Sequence, residues 1–243
     1  MNISQFFESN PNLQYKGLHL GCGSKYLQGW CNLDYYPLVE GEEHRGSSIQ
    51  PDVWFDLKNE ELGNDSFDII YSSHVIEHFT YNESLALLSK CFFALNPGGF
   101  FIVEMPDLEN LCLLYTLFGS KGPRALGSSN HSFISSQFYG ASWENGSSDF
   151  PLHKYVWSKK EYQHACKVIG FKVILLSNST LSHCPGRDFV IICQKPFQFP
   201  LTENLKASEW IQRYGRPILA PFKSKLSTFI LVVRLFFTML YIR

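Results

Sequence analysis

Leu18-His19-Leu20-Gly21-Cys22-Gly23-Ser24, followed after a short interval by Cys31-Asn32-Leu33-Asp34, is the stretch whose reading decides the fold. An apolar strand running into a glycine turn, then a second strand ending in an acid, is how a nucleotide-like ligand is seated on an α/β sheet. Gly21 and Gly23 let the backbone turn sharply and approach a ligand with no Cβ in the way. Asp34 then stands where a carboxylate accepts hydrogen bonds from ribose hydroxyls. A lone G-x-G follows many strands that bind nothing, so this reading needs partners elsewhere in the chain.

At 243 residues the chain can bury a sizeable core, and one α/β domain with additions suits that length. The net charge of −1 leaves no electrostatic footprint for nucleic acid. Seven scattered cysteines, odd in number and without a C-x-x-C, read as reduced packing thiols in a cytosol-type compartment. Residues 1–8 lack a basic region followed by an apolar run, so no secretory signal is expected and the expected location is cytoplasmic.

After a polar lead-in, apolar runs of strand length alternate with helix-like segments, the pattern of a mostly parallel sheet with helices on both faces. Strands are predicted near Gly17–Leu20, Trp30–Asp34, Val53–Asp56, Phe67–Tyr71, Phe100–Glu104, Lys172–Leu176 and Phe189–Cys193. A helix around Asn82–Leu95 carries Leu85, Leu88, Phe92 and Leu95 on one face and is stopped by Asn96-Pro97-Gly98-Gly99. Another, around Ser158–Ile169, opens with a Ser N-cap and Glu161 in the capping-box position and ends at Gly170. From about 119 to 155 the periodicity gives way to Gly, Ser, Asn and aromatics, as in a lid or binding loop.

Three blocks together, LHLGCGSKYLQGWCNLD (18–34), FDIIYSSHVIEHF (67–79) and LNPGGFFIVEMPDLENL (95–111), resemble the class I S-adenosylmethionine-dependent methyltransferases, and within them the methyltransferase type 11-like enzymes. HKYVWSKKEYQHACKVIGF (153–171) adds weaker support. The resemblance implies a Rossmann-like, seven-stranded, largely parallel sheet with an antiparallel last strand. A methyltransferase domain would span 1–200, with the insert covering the active site, and a helical extension would span 201–243. S-adenosyl-L-methionine is the implied cofactor. Gly21, Cys22 and Gly23 match the loop under its methionine part, Asp34 the acid that holds the ribose, and Asp56-Leu57 the site near the adenine. Ser72, Ser73 and His74 match positions that pass under the methionine part and open toward the substrate, and Pro97-Gly98-Gly99 the turn before the fifth strand. Only about ten residues separate Gly23 from Asp34, against the ~20 of a dinucleotide fingerprint. Tyr26 also stands where that fingerprint has its third glycine, so NAD is disfavoured and the first helix is expected to be short, through Lys25–Gln28.

Transfer of the methyl to an oxygen of a small-molecule or saccharide-type acceptor is the expected reaction, with His74 nearest the transferred methyl. His153, closing the insert, is either a substrate-side base or anchor, or a loop residue capping the helix that follows. His131 is a weaker candidate, and Asp107 is either a ligand contact at the strand edge or the N-cap of a helix over Leu108–Phe118. Phe133, Phe138, Tyr139, Trp143 and Phe150 either line an acceptor pocket or pack the insert down.

His74-Val75-Ile76-Glu77-His78 also spells H-x-x-E-H, an inverted zinc-peptidase motif if it lies on a helix. Its position directly after a strand argues against that remote alternative. A milder metal hypothesis, a divalent ion at the Glu77-His78 pair, gives way to local hydrogen bonding by these two residues, and no metal is expected. A third alternative is a nucleotide-binding or membrane-recruited module without catalysis.

Residues 226–242 form an apolar stretch with Ser227, Arg234 and Thr238 as a polar stripe. As a helix it would reach about 25 Å, short of a ~30 Å bilayer core, and Arg234 would cost about 2.5–3.5 kcal/mol at mid-membrane. With Lys223, Lys225 and Arg243 at its ends, residues 222–243 read as a peripheral membrane contact, at the inner face, or a self-association segment, against the plainer reading of a docking helix.

Overall fold

Seven strands form one sheet in a computed structural model of the chain, which describes residues 2–23, 25–35, 51–119, 138–139, 152–178 and 186–197. They are β1 (Gly17–Leu20), β2 (Cys31–Asp34), β3 (Val53–Trp54), β4 (Phe67–Ser73), β5 (Leu95–Pro106), β6 (Lys172–Asn178) and β7 (Asp188–Gln194), in the spatial order β3-β2-β1-β4-β5-β7-β6. Pairing is parallel from β3 through β5, while β7 runs antiparallel to both β5 and β6. The order reverses between β1 and β4, so the ends of these two strands flank the crevice where open α/β sheets take their ligands.

Each predicted strand is present, β1 with the predicted ends and the others with shifted ones. β3 is only two residues long, and β5 starts five residues before the predicted Phe100. The Asn96–Gly99 segment is thus a bulge inside β5: Leu95 pairs with Phe67, the register slips, and pairing resumes at Ile69 with Phe100. Gly98 takes φ +86°, and the Asn96 side chain donates to Asp68 Oδ1 at 2.8 Å. Pro-Gly-Gly chemistry makes a tight backbone irregularity in either setting, and here β4 is near enough to pair with both of its flanks.

The helices are α1 (Ile3–Ser9), α2 (Tyr81–Ala94), α3 (Leu108–Phe118) and α4 (Lys159–Ile169). α1 replaces the polar lead-in expected there. Asn2 and Gln5 cap each other reciprocally at 2.9 Å, and Phe6 is buried. Thr80 and Glu83 make the same box for α2, whereas α4 has half of one: Ser158 accepts from the Glu161 N–H, but the Glu161 carboxylate takes the Tyr155 hydroxyl at 2.5 Å. The short helix expected over Lys25–Gln28 does not form. Asn32 bonds both backbone groups of Leu27, at 2.9 and 3.0 Å, and Tyr26 donates to Asp52 at 2.6 Å, so side chains fix this crossover in an irregular path.

The core lies between one sheet face, with Leu18, Leu20, Ile70, Phe101 and Val103, and the buried sides of α2 and α4, including Leu88, Phe92, Tyr162 and Cys166. Most of the insert, with His131, Phe133, Trp143 and Phe150, and everything from 198 onward lie outside the described residues.

Candidate active site

The chain leaves β1 through Gly21 and Gly23, both in the left-handed region at φ +60° and +51°. The two glycines are needed for different reasons. A Cβ on Gly21 would stand 2.3 Å from Cγ2 of Val75, so the segment after β4 packs directly against this turn. A Cβ on Gly23 would meet no atom of the described residues within 4 Å, which leaves an open ledge beside the turn. Cys22 between them is buried, and burial, reinforced by Asp34, pushes its thiol up to about 12, so it stays a neutral packing group. Asp34 closes the ledge: its Oδ2 accepts from the Gly23 N–H at 2.6 Å and its Oδ1 from the Tyr35 N–H at 2.8 Å. Half-buried, it keeps lone pairs for hydroxyl donors.

Asp56 lies near Asp34 along the same edge, since the Phe55 N–H donates to the Asp34 carbonyl at 2.8 Å. Its carboxylate is engaged locally, accepting from the Lys58 N–H at 2.9 Å and the Asn59 side chain at 2.7 Å, and Leu57 beside it is buried. Lys90 of α2 braces this turn by donating to the carbonyls of Leu57, Lys58 and Glu60 at 3.3, 2.9 and 2.8 Å.

Across the crevice, β4 ends in Ser72, fully buried, and Ser73, whose hydroxyl lies 3.4 Å from Glu104 of β5. His74 follows at φ +55°, a strained setting for a side chain of this size. Both its ring nitrogens meet carboxylates: Nδ1 is 2.9 Å from Glu77 Oε1 and Nε2 is 3.2 Å from Asp188 Oδ2. Burial opposes charge on His74, but Asp188 and Glu77 outweigh it and raise its pKa to about 9. With Arg187 Nη2 also 3.3 Å from Nε2, His74 is oriented through both of its ring nitrogens. Asp188 is itself held well below the usual carboxylate range against the cost of burial, by His74 and by Arg187, which donates from Nη2 at 2.7 Å and from Nε.

Residues Ile76–His78 form a single 3₁₀ turn, not the α-helix that H-x-x-E-H needs. His74 and His78 therefore do not pair as a zinc peptidase requires. What gathers instead is Glu77, His78 and His153, each offering one donor atom within 4.8 Å of the others. The 153 segment is stapled there by the Glu77 carbonyl, which accepts from the N–H groups of Lys154 and Tyr155 at 2.7 and 3.3 Å. Trp157, buried and stacked on Tyr81, holds the far end. Of the two readings for Asp107, the N-cap is the one observed: it is buried, accepts from the Glu109 N–H and lies 3.1 Å from Lys159 Nζ.

Glu104, Arg187 and Asp188 were not singled out from the sequence. Glu104 carried a signal, being a carboxylate at the end of an apolar run; burial lifts it, with His74 pulling the other way. Asp188 opens β7, and only the reversed direction of that strand brings its start to the carboxyl edge of β4 and β5. A cleft of about 660 Å³ lined by Phe7, Lys16, Trp54 and Phe67 lies at the opposite, amino edge of β1 and β4 and takes no part in this site.

The strand order, the glycine ledge at the switch point and the acid at the end of β2 define a class I methyltransferase fold. The chain belongs to the methyltransferase-domain family, whose model matches residues 4–176. No curated protein matches it. Similar solved structures include an S-adenosylmethionine-dependent methyltransferase from Mesorhizobium loti, with 16% identity, TM-score 0.48, and coverage of 74% of this chain and 90% of that one. A second, from Methanosarcina mazei, has 12% identity, TM-score 0.48, and coverage of 79% and 98%. The 1,6-didemethyltoxoflavin-N1-methyltransferase of Burkholderia thailandensis, solved with S-adenosylhomocysteine, has 12% identity, TM-score 0.46, and coverage of 80% and 76%. The chain therefore carries a methyltransferase domain, and the resemblance read from its sequence implies S-adenosylmethionine as the methyl donor. Its residues fit that cofactor: the ledge over Gly23 is open where a Cβ would intrude, and Asp34 offers acceptors to a ribose.

Proposed function

We propose that this methyltransferase methylates an oxygen of a small-molecule or saccharide-type acceptor. Gly21, Cys22, Gly23 and Asp34 hold S-adenosylmethionine, with Ser72 and Ser73 below the methionine part and Asp56-Leu57 toward the adenine. The cofactor supplies a methyl made electrophilic by its sulfonium. The protein's part is chiefly alignment, where effective molarity can contribute about 7–11 kcal/mol. Val75 ties the glycine turn to the segment after β4, and the Glu77, His78 and His153 cluster begins two residues further on.

The observation that carries the reading is this cluster of two half-buried imidazoles against a buried carboxylate. It can receive a hydroxyl and draw off its proton, worth on the order of 10²–10⁴-fold in rate. His74 is then a positioning residue: it fixes Glu77 through Nδ1 and is fixed by Asp188. Incubating the full chain with S-adenosylmethionine and a panel of hydroxyl, amine and thiol compounds, sugars included, should give S-adenosylhomocysteine with an O-methyl product. A product methylated only at nitrogen or sulfur would overturn the oxygen assignment. For the chain as a whole, a domain over 1–200 and an extension over 201–243 remain our division, with residues 222–243 making peripheral membrane contact or self-associating.

A further inference from the structure

We infer that Glu77, His78 and His153 form a binding site for one divalent transition-metal ion, of the zinc type, beside the methyl-transfer crevice. Glu77 is fully buried, yet among the described residues only one of its oxygens is engaged: Oε1 meets His74 Nδ1, while Oε2 has no hydrogen-bond partner there. A buried carboxylate oxygen left without a donor keeps its full desolvation penalty, so a cation is the simplest group to complete it. His78 is oriented as metal-binding histidines are. Its Nδ1 donates to the Leu152 carbonyl at 3.1 Å, which fixes the tautomer and leaves Nε2 with a free lone pair. His153 stands edge-on to it, ring centres 5.1 Å apart, and its own backbone N–H is taken by the Tyr139 carbonyl at 3.3 Å.

Ligand atoms about 2.0–2.2 Å from a tetrahedral ion lie roughly 3.4 Å apart. The three donor atoms here are within 4.8 Å of one another, so a closure of at most about 1.4 Å assembles the site. Two imidazoles and one carboxylate suit Zn²⁺, Mn²⁺ or Co²⁺ and disfavour Mg²⁺ and Ca²⁺, which call for oxygen ligands. Three protein ligands also leave a coordination position open, the arrangement of catalytic and not structural zinc sites. The outer contacts are in place: Asp188 holds His74, His74 holds Glu77, and Leu152 holds His78. The site replaces the sequence-based expectation that no metal binds, because the spacing of Glu77 and His78 gave no sign that the chain returns His153 to them. The inference rests on the oxygen-acceptor reading only in giving the open position a use: with the lone pairs of His78 and His153 on the ion, it would be the cation, and not a free imidazole, that makes a bound hydroxyl give up its proton to solvent.

The test is titration of chelator-treated full-length protein with ZnCl₂, and in parallel with MnCl₂ and MgCl₂, followed by calorimetry and by melting, with no methyl donor or acceptor present. One equivalent of Zn²⁺ should bind and raise the melting temperature, with no comparable effect from MgCl₂. His153→Ala should abolish that shift while keeping the shift given by S-adenosylhomocysteine, which shows that the variant is folded. His74→Ala should weaken Zn²⁺ by about 10–100-fold, the usual effect of losing an orienting contact. Absence of Zn²⁺ binding to the unmodified protein, or equal binding by His153→Ala, would overturn the site. Because no turnover is measured, this outcome is independent of which atom the acceptor presents.

Discussion

Gly21 and Gly23 share a backbone conformation and still predict opposite failures. Alanine at Gly21 has both a left-handed φ and Val75 Cγ2 at 2.3 Å to contend with, so it must displace the segment that carries His74 and Glu77. Alanine at Gly23 meets only the conformational cost, about 1–2 kcal/mol, but its methyl projects over the open ledge. Gly21→Ala should therefore lower the melting temperature the more, while Gly23→Ala should melt closer to the parent and lose most of its affinity for S-adenosylhomocysteine in calorimetry. The reverse ranking would mean that the ledge is not where the cofactor lies. In the proposed seat Asp34 has a double role that its sequence position did not disclose, since its carboxylate already accepts from two backbone N–H groups. Removing it costs fold as well as binding, so Asp34→Asn, which retains one acceptor oxygen, is the cleaner variant.

Elements were legible in the sequence wherever one period ran long enough to be seen. The strands β1, β4 and β7 and the helices α2 and α4 announce themselves through apolar runs and caps, and the G-x-G and Asp34 through their place after β1 and β2. α1 was missed because seven residues hold barely two turns, and its stop and start depend on an Asn-Gln box. The crossover over 25–28 was misread because Asn32 and Asp52, distant in sequence, hold it better than a helix would. The site's charge chain was invisible for a related reason: Asp188 and His153 reach Glu77 and His74 only through strand direction and loop return. Lys90 is another such long-range contact. Its ammonium serves three carbonyls of the turn after β3, and hydrogen bonds to a charged group are worth about 1.5–3 kcal/mol. Lys90→Met should thus lower the melting temperature by about 3–12 °C. An unchanged melt would show that this turn does not depend on α2.

At the scale of the whole molecule, one crevice between β1 and β4 collects the residues we propose for the cofactor, and the chain from 152 to 157 brings His153 to its rim. No helix among the described residues is long and apolar enough to cross a membrane. If residues 222–243 bind a membrane surface, full-length protein should float with anionic vesicles and a chain ending at 221 should not; equal behaviour of the two would contradict that role. The account's central claim is the cofactor seat at Gly23 and Asp34, and the most direct measurement is a melting scan of the full chain with S-adenosylmethionine, S-adenosylhomocysteine or NAD. At ~100 Kd a ligand stabilises the fold by about 2.7 kcal/mol, a shift on the order of 5–10 °C for a protein of this size. The account predicts that shift with both sulfur ligands, none with NAD, and little with either in Asp34→Asn. Equal shifts in parent and Asp34→Asn, or a shift with NAD alone, would contradict it.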